Sequence, residues 1–270
     1  MKWLSKSYIG IVLTFLYAPI LVLIVFSFNQ SKSRGAWTGF TLGWYQKLFT
    51  NQLIINALVN TLIIAVISSI AATLLGTLAA IGISNMKRWQ RGLVMNITYM
   101  PVINPEIVTG VSLMLLFVFL KSLGMHFDFG FPTLILAHIT FNVPYVILNV
   151  LPKLRQMDHS VYEAAQDLGC NPFQAFYKVV IPEIMPGIVS GFLMAFTYSL
   201  DDFIISYFVS GATSQTLPIV IFSMTRRKVS PEINALSAIM FIVVLTVLLI
   251  VNINDARVER EHKAKVRARI

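Results

Sequence analysis

Cysteine is almost absent from this 270-residue chain: Cys170 stands alone, which excludes an intrachain disulfide and a cysteine-built metal site. Histidine is as sparse, at His126, His138, His159 and His262, and so scattered that each reads as a satisfied or solvated side chain. No G-x-x-x-x-G-K-S/T phosphate loop occurs, so any ATP that drives this protein must bind another chain. No nucleophile and base are placed together and no metal cluster is legible, which argues against an enzyme. Charge of either sign is scarce, at 12% of residues, and acidic residues number 12 against 21 lysines and arginines. In a soluble protein the resulting net charge of +9 would point to nucleic acid, but no aromatic platform for bases accompanies it. The basic residues fall between apolar runs and in the C-terminal tail.

What fills the chain instead is hydrophobic sequence, at 56% of residues, with a mean hydropathy of +0.74. Crossing a hydrocarbon layer of about 30 Å takes roughly 20 mainly apolar residues. Six runs qualify, at about 8–28, 56–84, 92–120, 132–151, 183–205 and 233–253, so an all-α polytopic membrane bundle with six transmembrane helices is expected. We read 1–255 as one transmembrane domain and 256–270 as a basic cytoplasmic tail near anionic lipid. The first run is long, contains Pro19 and ends in Phe26-Ser27-Phe28-Asn29, so it reads as an uncleaved span rather than a signal peptide. With the N-terminus inside, the inner segments hold fourteen of the 21 basic residues and the outer segments seven, among them Lys32, Lys121 and Arg226 to Lys228. That bias places both termini and the segment 153–182 in the cytoplasm. No internal repeat folds the chain on itself, so a second, partner chain is expected.

Polar residues inside apolar runs are the candidate functional groups, because a charge at mid-bilayer costs about 2.5 to 3.5 kcal/mol on insertion scales. Glu106 follows Pro101 and Pro105, where a broken helix would line a wet path; the plainer alternative is a proline kink whose carboxylate bonds a neighbour. Tyr198-Ser199-Leu200-Asp201-Asp202-Phe203 ends the fifth run with adjacent carboxylates. On a continuous helix these point about 100° apart, so one lines the path and the other packs; Asp202, on the face of Tyr198 and Ser199, is the stronger path candidate. Pairing with a partner subunit is the bland alternative for all three acids. Tyr198, or Trp44 in the aromatic segment 29–55, offers a cation-π face. Ser68, Ser69, Ala72, Gly76 and Ala80 form a close-packing stripe, and Gly187 with Gly191 a small-x-x-x-small contact. His138, Asn142 and Asn149 read as interhelical glue, and 211–234 as a short re-entrant or interfacial helix.

The segment from Val161 to Pro182 reads as a bent knob. Ser160 with Glu163 is a capping-box pattern, Gly169 suits a left-handed C-cap, Asn171 and Pro172 start a second short helix, and Pro182 is expected to end it. Small Ala164 and Ala165 would let a partner approach, while Phe173, Phe176 and Tyr177 supply apolar anchors. From residue types alone, an ordinary interfacial helix pair fits equally well.

Glu163-Ala164-Ala165, Gly169, Val179 and Ile181-Pro182 together resemble the EAA loop of ABC-importer permeases, with Val179 and Ile181 standing where the family usually has Ile and Leu. His138 to Tyr145, Ser199 to Phe203, Val229 to Leu236, Gly39-Phe40-Thr41 and Trp44-Tyr45 extend the likeness over nearly the whole chain, to spermidine/putrescine permeases of the PotC type. The resemblance implies a type I ABC importer fold and a bacterial plasma-membrane location. It implies coupling of Glu163, Ala164, Ala165, Gly169, Phe173, Phe176, Ile181 and Pro182 to an ATPase dimer that carries ATP and Mg, with no cofactor on this chain. It further implies a second homologous permease, an external polyamine-binding protein, and a polyamine path with Trp44, Glu106, Tyr198, Ser199, Asp201 and Asp202 as its candidate residues. The alternatives are an ABC permease for another small substrate and an ATP-independent secondary transporter of cations.

Overall fold

The computed structural model describes residues 2–31, 36–125, 128–227, 231–243 and 245–246, and these are overwhelmingly helical. By its contacts the chain divides into two compact units, residues 1–55 with 221–270, and residues 56–220. The tail at 256–270 lies outside the described residues.

In the first unit, α1 (Lys2–Phe26) is apolar along its length, and none of its Ser7–Phe26 stretch is buried, as suits a helix whose solvent is lipid. The loop after it closes on α2 (Gly43–Thr50) through specific bonds. Trp44 Nε1 donates to the Asn29 carbonyl at 2.7 Å, Ser27 and Tyr45 hydroxyls pair at 2.7 Å, and Phe28 stacks on Phe40. The expected aromatic interfacial segment is therefore partly a folded corner with Trp44 and Leu48 inside.

The second unit is organised around α6 (Phe131–Gln156). One end of α6 packs Val146, Val150 and Leu154 against Ala72 and Ala80 of α3 (Gln52–Ser84) and Ile184 and Ala195 of α9 (Ile181–Asp201). Its other end packs Leu134, Ala137 and Phe141 against Ile64 of α3, Leu113 and Phe117 of α5 (Glu106–Ser122), and Ile205 and Val209 of α10 (Ile204–Val209). Close backbone approach explains the small residues. A Cβ on Gly187 would lie 2.9 Å from the Asn149 carbonyl oxygen, and one on Gly76 would meet Val146 Cβ at 2.6 Å.

Among the described residues, four helices are long and apolar enough to cross a membrane, and a fifth crossing follows if the bent pair α4 (Arg88–Ile103) and α5 counts as one span. That pair, expected as the single run 92–120, bends by 105° at Asn104-Pro105, because Pro105 cannot donate into the ladder and holds its predecessor out of helical geometry. The fifth run, expected to reach 205, instead stops at Asp201 and restarts as α10. The division between the units falls within α11 (Leu217–Arg227), and α12 (Pro231–Val243) follows. The sixth expected span begins within α12, and its part beyond 246 lies outside the described residues, as does Lys228.

Candidate functional site: a carboxylate pocket between two helix breaks

Two breaks meet at one place in the second unit. Glu106, the first residue of α5, and Asp201, the last of α9, line a cavity of about 330 Å³ together with Asp202, Phe203, Ile204, Phe141 and Tyr198. Glu106 and Asp201 are exposed, so their carboxylates are available to a ligand. A helix that ends leaves its last carbonyls without intrahelical partners, so the C-terminal end of α9 adds partial negative charge where Asp201 stands. The aromatic wall continues behind Tyr198, whose ring lies 4.6 Å from that of Tyr145 and 6.1 Å from that of Phe141. Acid and π-faces in one half-open pocket bind a cation and repel an anion.

Asp202, which also lines the cavity, is held differently from Asp201. Its side chain is only 4% exposed. Oδ1 accepts the Ile205 N–H at 3.2 Å and Oδ2 the Ser206 N–H at 2.7 Å, so Asp202 caps the first turn of α10. His138 Nε2 stands 3.5 Å from the same Oδ2 and 3.1 Å from Ser206 Oγ. The chain turns extended at Asp202 (φ −60°, ψ 119°), so the two carboxylates do not follow the faces of one unbroken helix.

The reading of Ser199 is corrected. It is buried, bonded to Ser68 Oγ at 3.0 Å and to Asn142 Nδ2 at 2.8 Å, and ties α9 to α3 and α6 rather than lining the cavity. Trp44 belongs to the other unit, where it is buried with the Lys47 ammonium 4.9 Å from its ring centroid, so its cation-π face is already taken. Sequence reasoning missed Phe141 and Tyr145 as cavity-wall residues, while His138, expected as interhelical glue, does bond Ser206 of α10. The usable signal was their spacing on one helix, with Phe141 and Tyr145 four apart and Asn142 four beyond His138.

The knob forms, with two differences. α7 (His159–Asp167) is capped by Asp158, whose carboxylate accepts the Ser160 N–H, and not by Ser160. Its C-terminus is a Schellman turn: Cys170 N–H donates to the Ala165 carbonyl, Gly169 N–H to Gln166, and Gly169 takes φ +88°. Asn171 and Gln174 cap α8 (Pro172–Ala175) reciprocally. Pro182 does not end the second helix. A π turn over Phe176–Val180, in which Ile181 N–H reaches back to the Phe176 carbonyl, carries α8 straight into α9. The wider turn relieves the clash a proline ring makes with the carbonyl four residues earlier.

Of the expected coupling residues, Glu163, Ala164, Gly169, Phe173 and Pro182 are exposed and Ala165 is half-buried. Leu168 at 86% and Phe173 at 77% exposure leave an apolar surface uncovered on the knob. Phe176, read from the sequence as an apolar anchor, and Ile181 are partly buried and pack on the α3/α6/α9 core. Phe176 also lines a cavity of about 400 Å³ with Arg91, whose guanidinium donates to the Ile83, Ser84 and Met86 carbonyls at the end of α3.

A lipid-facing bundle with broken helices around a polar pocket, and a capped elbow carrying exposed apolar residues, is the build of a membrane transport permease. The chain belongs to the family of binding-protein-dependent transport system inner membrane components, whose model matches residues 72–262. It is 44% identical over 229 residues to the putrescine transport system permease protein PotI of Escherichia coli K12, covering 84% of this chain and 81% of the relative. To the spermidine/putrescine transport system permease protein PotC of Haemophilus influenzae it is 36% identical over 248 residues, covering 92% and 95%. Among solved structures it shares the fold of a bacterial ABC transporter involved in the import of the acidic polysaccharide alginate, with TM-score 0.73, 19% identity, and coverage of 94% and 96%. It is therefore a multi-pass membrane permease and not an enzyme.

Proposed function

We propose that this chain, with a second permease, forms the path by which a polyamine of the putrescine or spermidine kind crosses the membrane, the substrate named for its relatives. The pairing of Glu106 with Asp201 in one aromatic-walled pocket carries this reading, because separated carboxylates suit a flexible cation with more than one ammonium group. An external binding protein delivers the substrate, and a separate ATPase pair docks on the knob, where Leu168 and Phe173 offer anchors beside Glu163. Both termini and the knob then face the cytoplasm, in line with the basic-residue bias. ATP binding closes the ATPase pair and turns the path outward through the knob; hydrolysis and release reset it inward.

The test is ATP hydrolysis by the complex reconstituted in lipid with its ATPase, partner permease and binding protein. Putrescine- or spermidine-loaded binding protein should stimulate hydrolysis, and Phe173→Asp should abolish both the stimulation and co-purification of the ATPase. Transport that persists without the ATPase would instead establish a secondary transporter.

A further inference from the structure

We infer that His138 is a positioning residue of the substrate path: its Nε2–H bonds the Ser206 hydroxyl beside the Asp202 carboxylate, in the knot that sets where Asp201 and Glu106 stand. The inference rests on the carboxylate pocket described above but concerns a residue outside it. His138 is 1% exposed, deep in α6, and does not line the pocket. Its Nε2 reaches Ser206 Oγ at 3.1 Å and Asp202 Oδ2 at 3.5 Å, while its Nδ1 is buried without a partner. A neutral imidazole carries one N–H and one acceptor nitrogen. Placing the proton on Nδ1 would strand a buried donor and turn a lone pair toward the Asp202 carboxylate, so the proton belongs on Nε2, donating into the knot.

From this knot two rigid connections run to the pocket. Asp201 precedes Asp202 directly, so fixing Asp202 at the α9/α10 break fixes the end of α9. α10, capped by Asp202, packs on α5 at Gly110, where an added Cβ would meet Phe208 at 2.9 Å and the Ile205 Cα at 3.4 Å. Gly110 is one turn beyond Glu106 on α5. One buried donor on α6 thereby sets the spacing of two carboxylates on separate helices, which is the quantity a cation with spaced charges reads. Loss of that donor should loosen the spacing while the surrounding apolar packing persists.

The experiment measures the spacing directly, without relying on transport. In a Cys170→Ser background, cysteines replace Glu106 and Asp201, and cross-linking by a short bifunctional maleimide is followed in the assembled, lipid-reconstituted complex. His138→Met keeps volume without a donor, and His138→Gln restores an N–H near the Nε2 position. Cross-linking should fall about fivefold or more with Met and recover to within about twofold with Gln, as loss and return of one buried hydrogen bond of about 1 kcal/mol imply. In the chain that keeps its carboxylates, the half-saturating concentration for uptake should rise in the same order. Should the Met variant fail to co-purify with its partners, Ser206→Ala, which removes the shared hydroxyl but keeps the backbone N–H, gives the reading, with cross-linking again reduced. Unchanged cross-linking in either assembled variant, or Met equal to Gln, overturns the inference. Normal uptake after neutralising Glu106 and Asp201 would overturn the substrate path instead, whatever the cross-linking shows.

Discussion

Adjacent carboxylates at 201 and 202 differ in their hydrogen bonding. Asp202 spends both oxygens on the α10 backbone, while Asp201 is exposed to the cavity beside Glu106. Asp202→Ala should therefore destabilise the fold by about 1 to 2 kcal/mol, as loss of a capping side chain does, and lower the yield of assembled complex. Asp201→Asn should leave assembly intact and reduce uptake about tenfold, the scale of one charged contact. Thermal unfolding of the purified complex, run beside uptake, separates the two effects. Ser199→Ala should cost only about 0.6 kcal/mol, a typical interhelical hydrogen bond in a membrane protein, and leave uptake near normal. The sequence marked these residues as unusual because charge is rare in apolar runs, but it could not assign their roles. Those depend on an extended residue at Asp202 and on partners 57 to 131 positions away, such as Asn142 and Ser68 for Ser199.

At the scale of elements, punctuation was read well wherever one residue decides the backbone. Pro105 breaks α4 from α5, Gly169 takes the left-handed turn, and Asn171 with Pro172 starts α8. Proline failed as a stop signal at Pro182, because a π turn absorbs the missing N–H and the long helix Pro172–Asp201 continues through it. That continuity joins the knob mechanically to Asp201. Gly169→Pro should thus lose transport, since proline cannot adopt φ +88° and would remove the Gly169 N–H bond to Gln166. Gly187→Leu should reduce stability by about 1 to 3 kcal/mol, because α9 must move off the Asn149 carbonyl, and co-purification yield reports it.

The whole molecule is a permease whose lipid-facing surfaces were legible from hydropathy and whose pocket was legible only in part. Composition and the length of apolar runs give the membrane class directly, since a backbone in lipid must satisfy its own polar groups and continuous apolar runs of about 20 residues do so as helices. The division into two units left no such mark, because it cuts through α11 and follows contacts rather than composition. Orientation rests on basic-residue bias, and it predicts that Arg226→Cys in a Cys170→Ser background reacts with an impermeant thiol reagent added from outside. The central claim, that the break-to-break pocket is an acidic cation path, is tested most directly by polyamine uptake into proteoliposomes holding the assembled complex with Glu106→Gln and Asp201→Asn combined. The account predicts that uptake is nearly abolished while the ATPase still co-purifies and the binding protein keeps its affinity. Normal uptake by that double variant would contradict it.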